Sequence, residues 1–170
     1  MPSDGPIRAA TDADRDAIAA LHLASWRDAY VDALPERYRE GALAEDLAAR
    51  WAGRTFAPPM VTLVAEGAAG LDGFVCCFAD RDPPYIDNLH VRPGLRSKGT
   101  GAALMSALFA ELRGQGRTAC ALTVLEDNPS ARRFYARLGG VEGAARGTEL
   151  MGHPVREVPV TFDLNRTETP

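Results

Sequence analysis

The chain has 170 residues, enough for one full-sized core, and its 46% hydrophobic and 25% charged residues have the balance of a globular domain. A formal charge of −4 leaves no basic footprint for nucleic acid, and no apolar run reaches the roughly 20 residues of a membrane span. The opening Met1-Pro2-Ser3-Asp4-Gly5-Pro6 lacks the apolar centre of a signal peptide, and Cys76, Cys77 and Cys120 lie in apolar surroundings without zinc spacing, as the buried, reduced thiols of a cytoplasmic protein would.

Ile7 to Ala10 reads as a short strand, and Thr11 to Asp14 offers cap chemistry for the helix that follows. That helix carries two stripes at helical spacing, Ile18-Leu21-Ser25 and Leu23-Trp26-Tyr30. A loop is predicted near Leu34-Pro35. A second helix then places Leu43, Leu47 and Trp51 on one face, and Pro58-Pro59 ends it. The period changes at Val61 to Ala65, which is apolar and β-branched. With a turn from Gly67 to Gly73 and an apolar run from Phe74 to Ala79, this reads as an antiparallel pair. Tyr85 to Val91 is the third strand of that group. A helix follows from Gly101 to Arg113, with Leu104, Leu108 and Leu112 on one face, then a strand from Thr118 to Leu125 and a short helix from Pro129 to Leu138. Two last strands are predicted around Gly152-His153-Pro154. In the second, Val158, Val160, Phe162 and Leu164 alternate with Glu157, Pro159, Thr161 and Asp163. The predicted order is βααβββαβαββ in one domain over residues 1–170, with flexible tails at 1–6 and 165–170. The fold class is α/β (α+β), with one mixed sheet and helices on both faces.

The stretch from Leu89 to Leu104 holds the strongest chemical signal. A strand ends near Val91, a basic glycine-bearing loop follows, and a helix begins near Gly101. Free N–H groups and the helix dipole make such a junction an anion site. Gly99 and Gly101 remove the Cβ atoms that would hold a phosphate off the backbone, while Arg96 and Lys98 supply charge and Arg92 is close enough in sequence to help. A nucleoside-triphosphate P-loop fails because Thr100 stands where lysine is required. A dinucleotide-binding loop fails because Leu104 occupies the third glycine position.

Arg96-Ser-Lys-Gly99-Thr-Gly101 matches the Arg/Gln-x-x-Gly-x-Gly/Ala pyrophosphate loop of the GNAT N-acetyltransferase superfamily. Asn128-Pro-Ser-Ala131-Arg-Arg-Phe134-Tyr135-Ala-Arg-Leu-Gly139 resembles the second signature of that family, Asn-x-x-Ala-x-x-Phe-Tyr-x-x-x-Gly. The resemblance implies a mostly antiparallel sheet of about seven strands. It also implies acetyl-CoA as co-substrate and direct attack of a primary amine on the thioester in a ternary complex. The alternative is the same fold retaining an acyl-CoA without turnover. Two features depart from the family pattern: Gly140-Val141 follows Gly139 where an aromatic residue is usual, and Pro159 falls within a strand.

The family resemblance implies that Arg96, Ser97, Lys98, Gly99, Thr100, Gly101 and Ala102 hold the pyrophosphate. Leu89, His90 and Val91 would pair with the pantetheine arm, which Asn128 and Ala131 would also contact; Asn128 alternatively caps the short helix. In the third strand Ile86 has the wrong parity to share a core face with Leu89 and Val91, so a bulge between them is expected to bring all three inward. An alkylammonium costs roughly 4 kcal/mol to deprotonate at neutral pH, so a base is useful, and Asp87 is the candidate, with His90 and Glu126 as alternatives. By resemblance, Tyr135 protonates the leaving thiolate and also lies against the cofactor. Trp26, Tyr30 and Asp87 are candidates for the acceptor pocket, with Arg27 beside them, whereas Arg39, Arg50 and Arg54 read as solvated. No metal is expected, and a homodimer is the default assembly.

Overall fold

The computed structural model describes residues 5–30, 41–150 and 152–166. Its elements are β1 (Ile7–Ala9), a 3-10 turn (Asp12–Asp14), α1 (Arg15–Tyr30), α2 (Leu43–Ala52), β2 (Met60–Gly67), β3 (Gly70–Phe78), β4 (Tyr85–Val91), α3 (Thr100–Gly114), β5 (Ala119–Leu125), α4 (Pro129–Arg137), β6 (Val141–Glu142), β7 (Arg146–Leu150) and β8 (His153–Asp163). This is the predicted order with one addition, the two-residue β6. The loop expected near Leu34-Pro35 lies outside the described residues.

The strands form one mixed sheet in the order β1-β2-β3-β4-β5-β8-β6, with β7 on β8. β1 with β2 and β5 with β8 are antiparallel, whereas β4 runs parallel to β5, registered at Tyr85↔Ala121. Contacts divide the chain into two compact units. One is Met1–Cys77 with Asn88–Leu108, and the other is Phe78–Asp87 with Phe109–Pro170.

In the first unit, α1 buries Ile18, Leu21, His22 and Ser25, so the first of its two stripes is the core face. α2 buries Leu43, Leu47 and Trp51, and each large apolar side chain so placed contributes about 1.5–3 kcal/mol. The entry to α1 is fixed by Asp14, whose carboxylate accepts the Thr11 N–H at 2.8 Å and is gripped by Arg8 at 2.8 and 2.9 Å. Of the expected N-terminal tail, Gly5 and Pro6 are described. The Pro6 carbonyl accepts the Glu66 N–H at 3.1 Å, so the chain is tied down from there. Arg54 is not simply solvated: its guanidinium lies 4.8 Å from the Trp51 ring and donates to Cys76 Sγ.

In the second unit, β8 buries Val158, Val160 and Phe162, with Leu164 just beyond, as the alternation requires. Pro159 is accommodated by a change of neighbour. β7 pairs with β8 as far as Glu157 and β6 begins at Val160, so Pro159 falls in the gap. Its carbonyl accepts the Gly143 N–H at 2.8 Å on that side, so the nitrogen that lacks a hydrogen also points away from β5.

The predicted inward turn of Leu89 and Val91 is corrected. Ile86 and Asn88 are buried, while Leu89, His90 and Val91 are half-buried. Alternation therefore puts Ile86 and Asn88 in the core, and Leu89 and Val91 do not join them there.

Candidate functional site

The loop between β4 and α3 is built for close approach to its backbone. Gly94, Ser97 and Gly99 all have positive φ, at 87°, 66° and 93°. A serine in the left-handed region is uncommon, and a glycine there is unstrained. The Gly99 carbonyl accepts the Ala103 N–H at 2.9 Å, making Gly99 the residue from which α3 starts. The first N–H groups of α3 then have no carbonyl within the helix to bond.

Beneath the loop, β3 comes close at Gly73. A Cβ there would meet Leu104 Cδ1 at 2.9 Å, the His90 carbonyl at 3.0 Å and Thr100 Cγ2 at 3.3 Å. Thr100 is 2% exposed, and its hydroxyl has no hydrogen-bond partner among the described residues. A buried orphan hydroxyl costs about 1–3 kcal/mol unless something completes it. Its place, at the start of α3 among N–H groups of the same kind, fits a phosphate-bearing ligand.

Ser97, Lys98 and Gly99 are exposed and Gly101 and Ala102 half-exposed, so the loop brings the sequence-predicted phosphate residues to one surface. Arg96 is held on α1, with its guanidinium 2.5 Å from Asp28 Oδ2 and 3.3 Å from Ser25 Oγ. Arg92 braces β3, because its guanidinium bonds the Leu71 and Ala69 carbonyls at the start of that strand. His90 faces α1: its Nδ1 lies 2.9 Å from Ser25 Oγ and its ring centroid 4.4 Å from that of His22. Trp26 is half-buried, with its indole nitrogen 3.0 Å from His22 Nε2. The Tyr30 side chain and Arg39 lie outside what is described.

The second unit holds the remaining candidates. Asn128 caps α4, with its Oδ1 accepting the Ala131 N–H at 3.1 Å. Ala131 is half-buried on the first turn of that helix. Tyr135 is half-buried, its ring edge-on to Phe134 and Phe162 at 5.2 and 6.2 Å. Asp87 is half-buried on β4. Glu126 is paired with Arg156 at 2.6 Å, which weakens its claim as a base. These two line an open cleft of about 910 Å³ together with Asp127, Thr148, Glu149 and Val155. Sequence reasoning missed Ser25, Asp28 and His22 as neighbours of the loop. Arg96 and Asp28 are 68 positions apart, and no local pattern announces such a pair.

Comparison with known proteins gives the family and the fold. The sequence model of the acetyltransferase (GNAT) family matches residues 23–140. The L-2,4-diaminobutyric acid acetyltransferase of Nocardia farcinica is 29% identical over 113 residues, and the chain spans 56% of the length of that relative against 65% of its own. The fold is similar to that of a GCN5-related N-acetyltransferase of Rhodopseudomonas palustris, with a TM-score of 0.72 at 21% identity over 96% of this chain and 98% of that one. It also resembles the PaiA N-acetyltransferase of Thermoplasma acidophilum, solved with coenzyme A, with a TM-score of 0.66 at 19% identity over 90% and 96% of the two chains.

Proposed function

The chain belongs to the acetyltransferase (GNAT) family, and on that premise we propose that it moves an acetyl group from acetyl-CoA to a primary amine in a ternary complex. The observation that carries the cofactor half is the orphaned Thr100 hydroxyl, buried at the head of α3 under a loop with three positive-φ residues. In this reading the N–H groups of the 96–102 segment, with Arg96 and Lys98, hold the pyrophosphate. Backbone groups of Leu89, His90 and Val91 hold the pantetheine amides, and Asn128 and Ala131 contact the same arm. Acetyl-CoA supplies the activated acyl group and the leaving thiolate. Tyr135 donates a proton to that sulfur, and Asp87 takes one from the amine. Trp26 and Tyr30 border the acceptor.

An ammonium-bearing acceptor suits this chain. Glu126, Asp127 and Glu149 line the open cleft with Arg156 as its guanidinium, and the Nocardia relative is named for a diamino acid. We place both compact units in one catalytic domain, active in the cytoplasm as a homodimer. Among the described residues no helix is long and apolar enough to cross a membrane.

Tyr135→Phe tests the transfer half. The expected result is a fall in kcat of roughly 10²-fold or more, with the dissociation constant for acetyl-CoA held within about twofold. An unchanged kcat removes the role given to Tyr135. Wild-type protein that binds acetyl-CoA and acetylates nothing in a broad amine panel is a binding module instead.

A further inference from the structure

Ser25 joins two parts of the first unit that the proposed reaction uses separately. It lies on α1, 5% exposed. Its hydroxyl oxygen is 2.9 Å from His90 Nδ1 on β4 and 3.3 Å from an Nη of Arg96 in the loop. The same guanidinium nitrogen is 3.5 Å from the Ser25 carbonyl, and the other Nη is 2.5 Å from Asp28 Oδ2. A guanidinium only donates, so Ser25 Oγ accepts from Arg96, and its hydrogen and second lone pair let it donate to a neutral His90 Nδ1 or accept from a protonated one. Where Ser25 donates, neutral His90 carries its hydrogen on Nε2.

The groups facing His90 come from several elements. α1 supplies His22, Ser25 and, through Arg96, the Asp28 carboxylate. The loop supplies the Arg96 cation, and β3 supplies the uncharged Phe74 ring at 5.5 Å. Arg50 at the end of α2 and Arg54 just beyond it act on the stacked His22. By strand alternation, Asp87 lies on the opposite face of β4. In this arrangement the Arg96 charge opposes a proton on His90 Nδ1, and its hydrogen bond to Ser25 Oγ makes that oxygen a poorer acceptor from the ring.

The geometry points to Arg96 as a ligand shared between α1 and the cofactor, so that cofactor binding arms Ser25 and His90 as a proton-accepting pair. This rests on the cofactor reading above. When the pyrophosphate engages Arg96, the cation beside Ser25 is neutralised or withdrawn. Ser25 Oγ, no longer polarised by Arg96, then accepts more strongly from a protonated Nδ1, and His90 becomes more basic. An acceptor ammonium that gives its first proton to Ser25 Oγ, while Ser25 passes its own to His90, leaves a neutral amine, an intact serine and an imidazolium. No other bond changes in that transfer. The proton taken by Asp87 is the second, lost once the amine has attacked.

The test reads His90 directly. Protein labelled with 15N-histidine is titrated from about pH 5 to about pH 9, with and without saturating coenzyme A. His90→Gln identifies the resonance, and calorimetry records binding. The His90 midpoint is expected to rise by roughly half to one pH unit when coenzyme A binds. Ser25→Ala should lose most of that rise while Ser25→Thr keeps it, with thermal melts confirming that both fold. Asp28→Asn, which frees Arg96, should bind coenzyme A several-fold more tightly. Coenzyme A binding without movement of the His90 midpoint overturns the inference, as does a full rise in Ser25→Ala. Failure of coenzyme A to bind at all overturns the cofactor reading and this coupling with it.

Discussion

His22 lies on α1 with 1% of its surface exposed, and the indole nitrogens of Trp51 and Trp26 are 3.0 Å from its Nδ1 and Nε2. A neutral imidazole has one acceptor nitrogen and an imidazolium has none, so the ring bonds one indole at a time and protonation breaks that bond too. Burial pushes its pKa down from 6.5 to about 2, with His90, Arg50 and Arg54 adding to the effect. Below pH 6.5 the unfolded chain therefore binds a proton that the folded one refuses, and stability falls with pH. By pH 5 the loss is about 2 kcal/mol. His22→Gln should flatten thermal melts between these two values, and a variant that loses stability as steeply as wild type contradicts the assignment. A second fall is expected at lower pH. Arg8 holds the Asp14 carboxyl down from 3.8 to about 2, so that contribution is present above 3.8 and lost as pH drops through 2. Trp26, four positions along the helix, was a legible neighbour of His22, but Trp51 belongs to another helix. His22 is the centre of an aromatic cluster with Trp26, Trp51, Phe74 and His90.

Glycine and proline positions show how far periodicity carries at the level of elements. The alternation of β8 and the four-residue spacings of α2 and α3 named buried faces correctly, because a side chain's face follows from backbone repeat alone. Gly140 is different. A Cβ there would lie 2.6 Å from Val160 Cγ1, 2.9 Å from the Tyr135 carbonyl and 3.0 Å from Phe162 Cε1. Phe162 and Val160, supplied by β8, leave no room for a side chain at Gly140, so an aromatic residue here would collide with the strand. Gly140→Ala should cost roughly 1–3 kcal/mol in denaturant unfolding with little change in m-value, and a variant as stable as wild type would show that this turn yields. Pro159 is tolerated for an equally non-local reason: the neighbour of β8 changes from β7 to β6 at that residue. Leu89 and Val91 mark the opposite limit. Their apolar character suggested a core face, but burial depends on what covers a strand, and the alternation follows Ile86 and Asn88.

At the scale of the whole molecule, ligand linkage gives the broadest test. A ligand that binds only the folded chain stabilises it by about 2.7 kcal/mol at 100 times its dissociation constant. Acetyl-CoA should produce that shift in thermal unfolding and NAD none, and the reverse pattern would reinstate the dinucleotide-loop reading. The family and the glycine loop were legible in sequence because both rest on short contiguous runs, Arg96 to Gly101 and Asn128 to Gly139, whose glycines and cap residues act locally. Element order was legible for the same reason, since period and breakers are properties of neighbouring residues. Tertiary structure alone decided which α1 stripe is buried, that the Thr100 hydroxyl has no partner among the described residues, and that Arg96 is held by Asp28 and Ser25 beside His90. These depend on contacts between residues far apart in the chain. Side-chain chemistry sets what each group can bond, but only folding sets which groups meet.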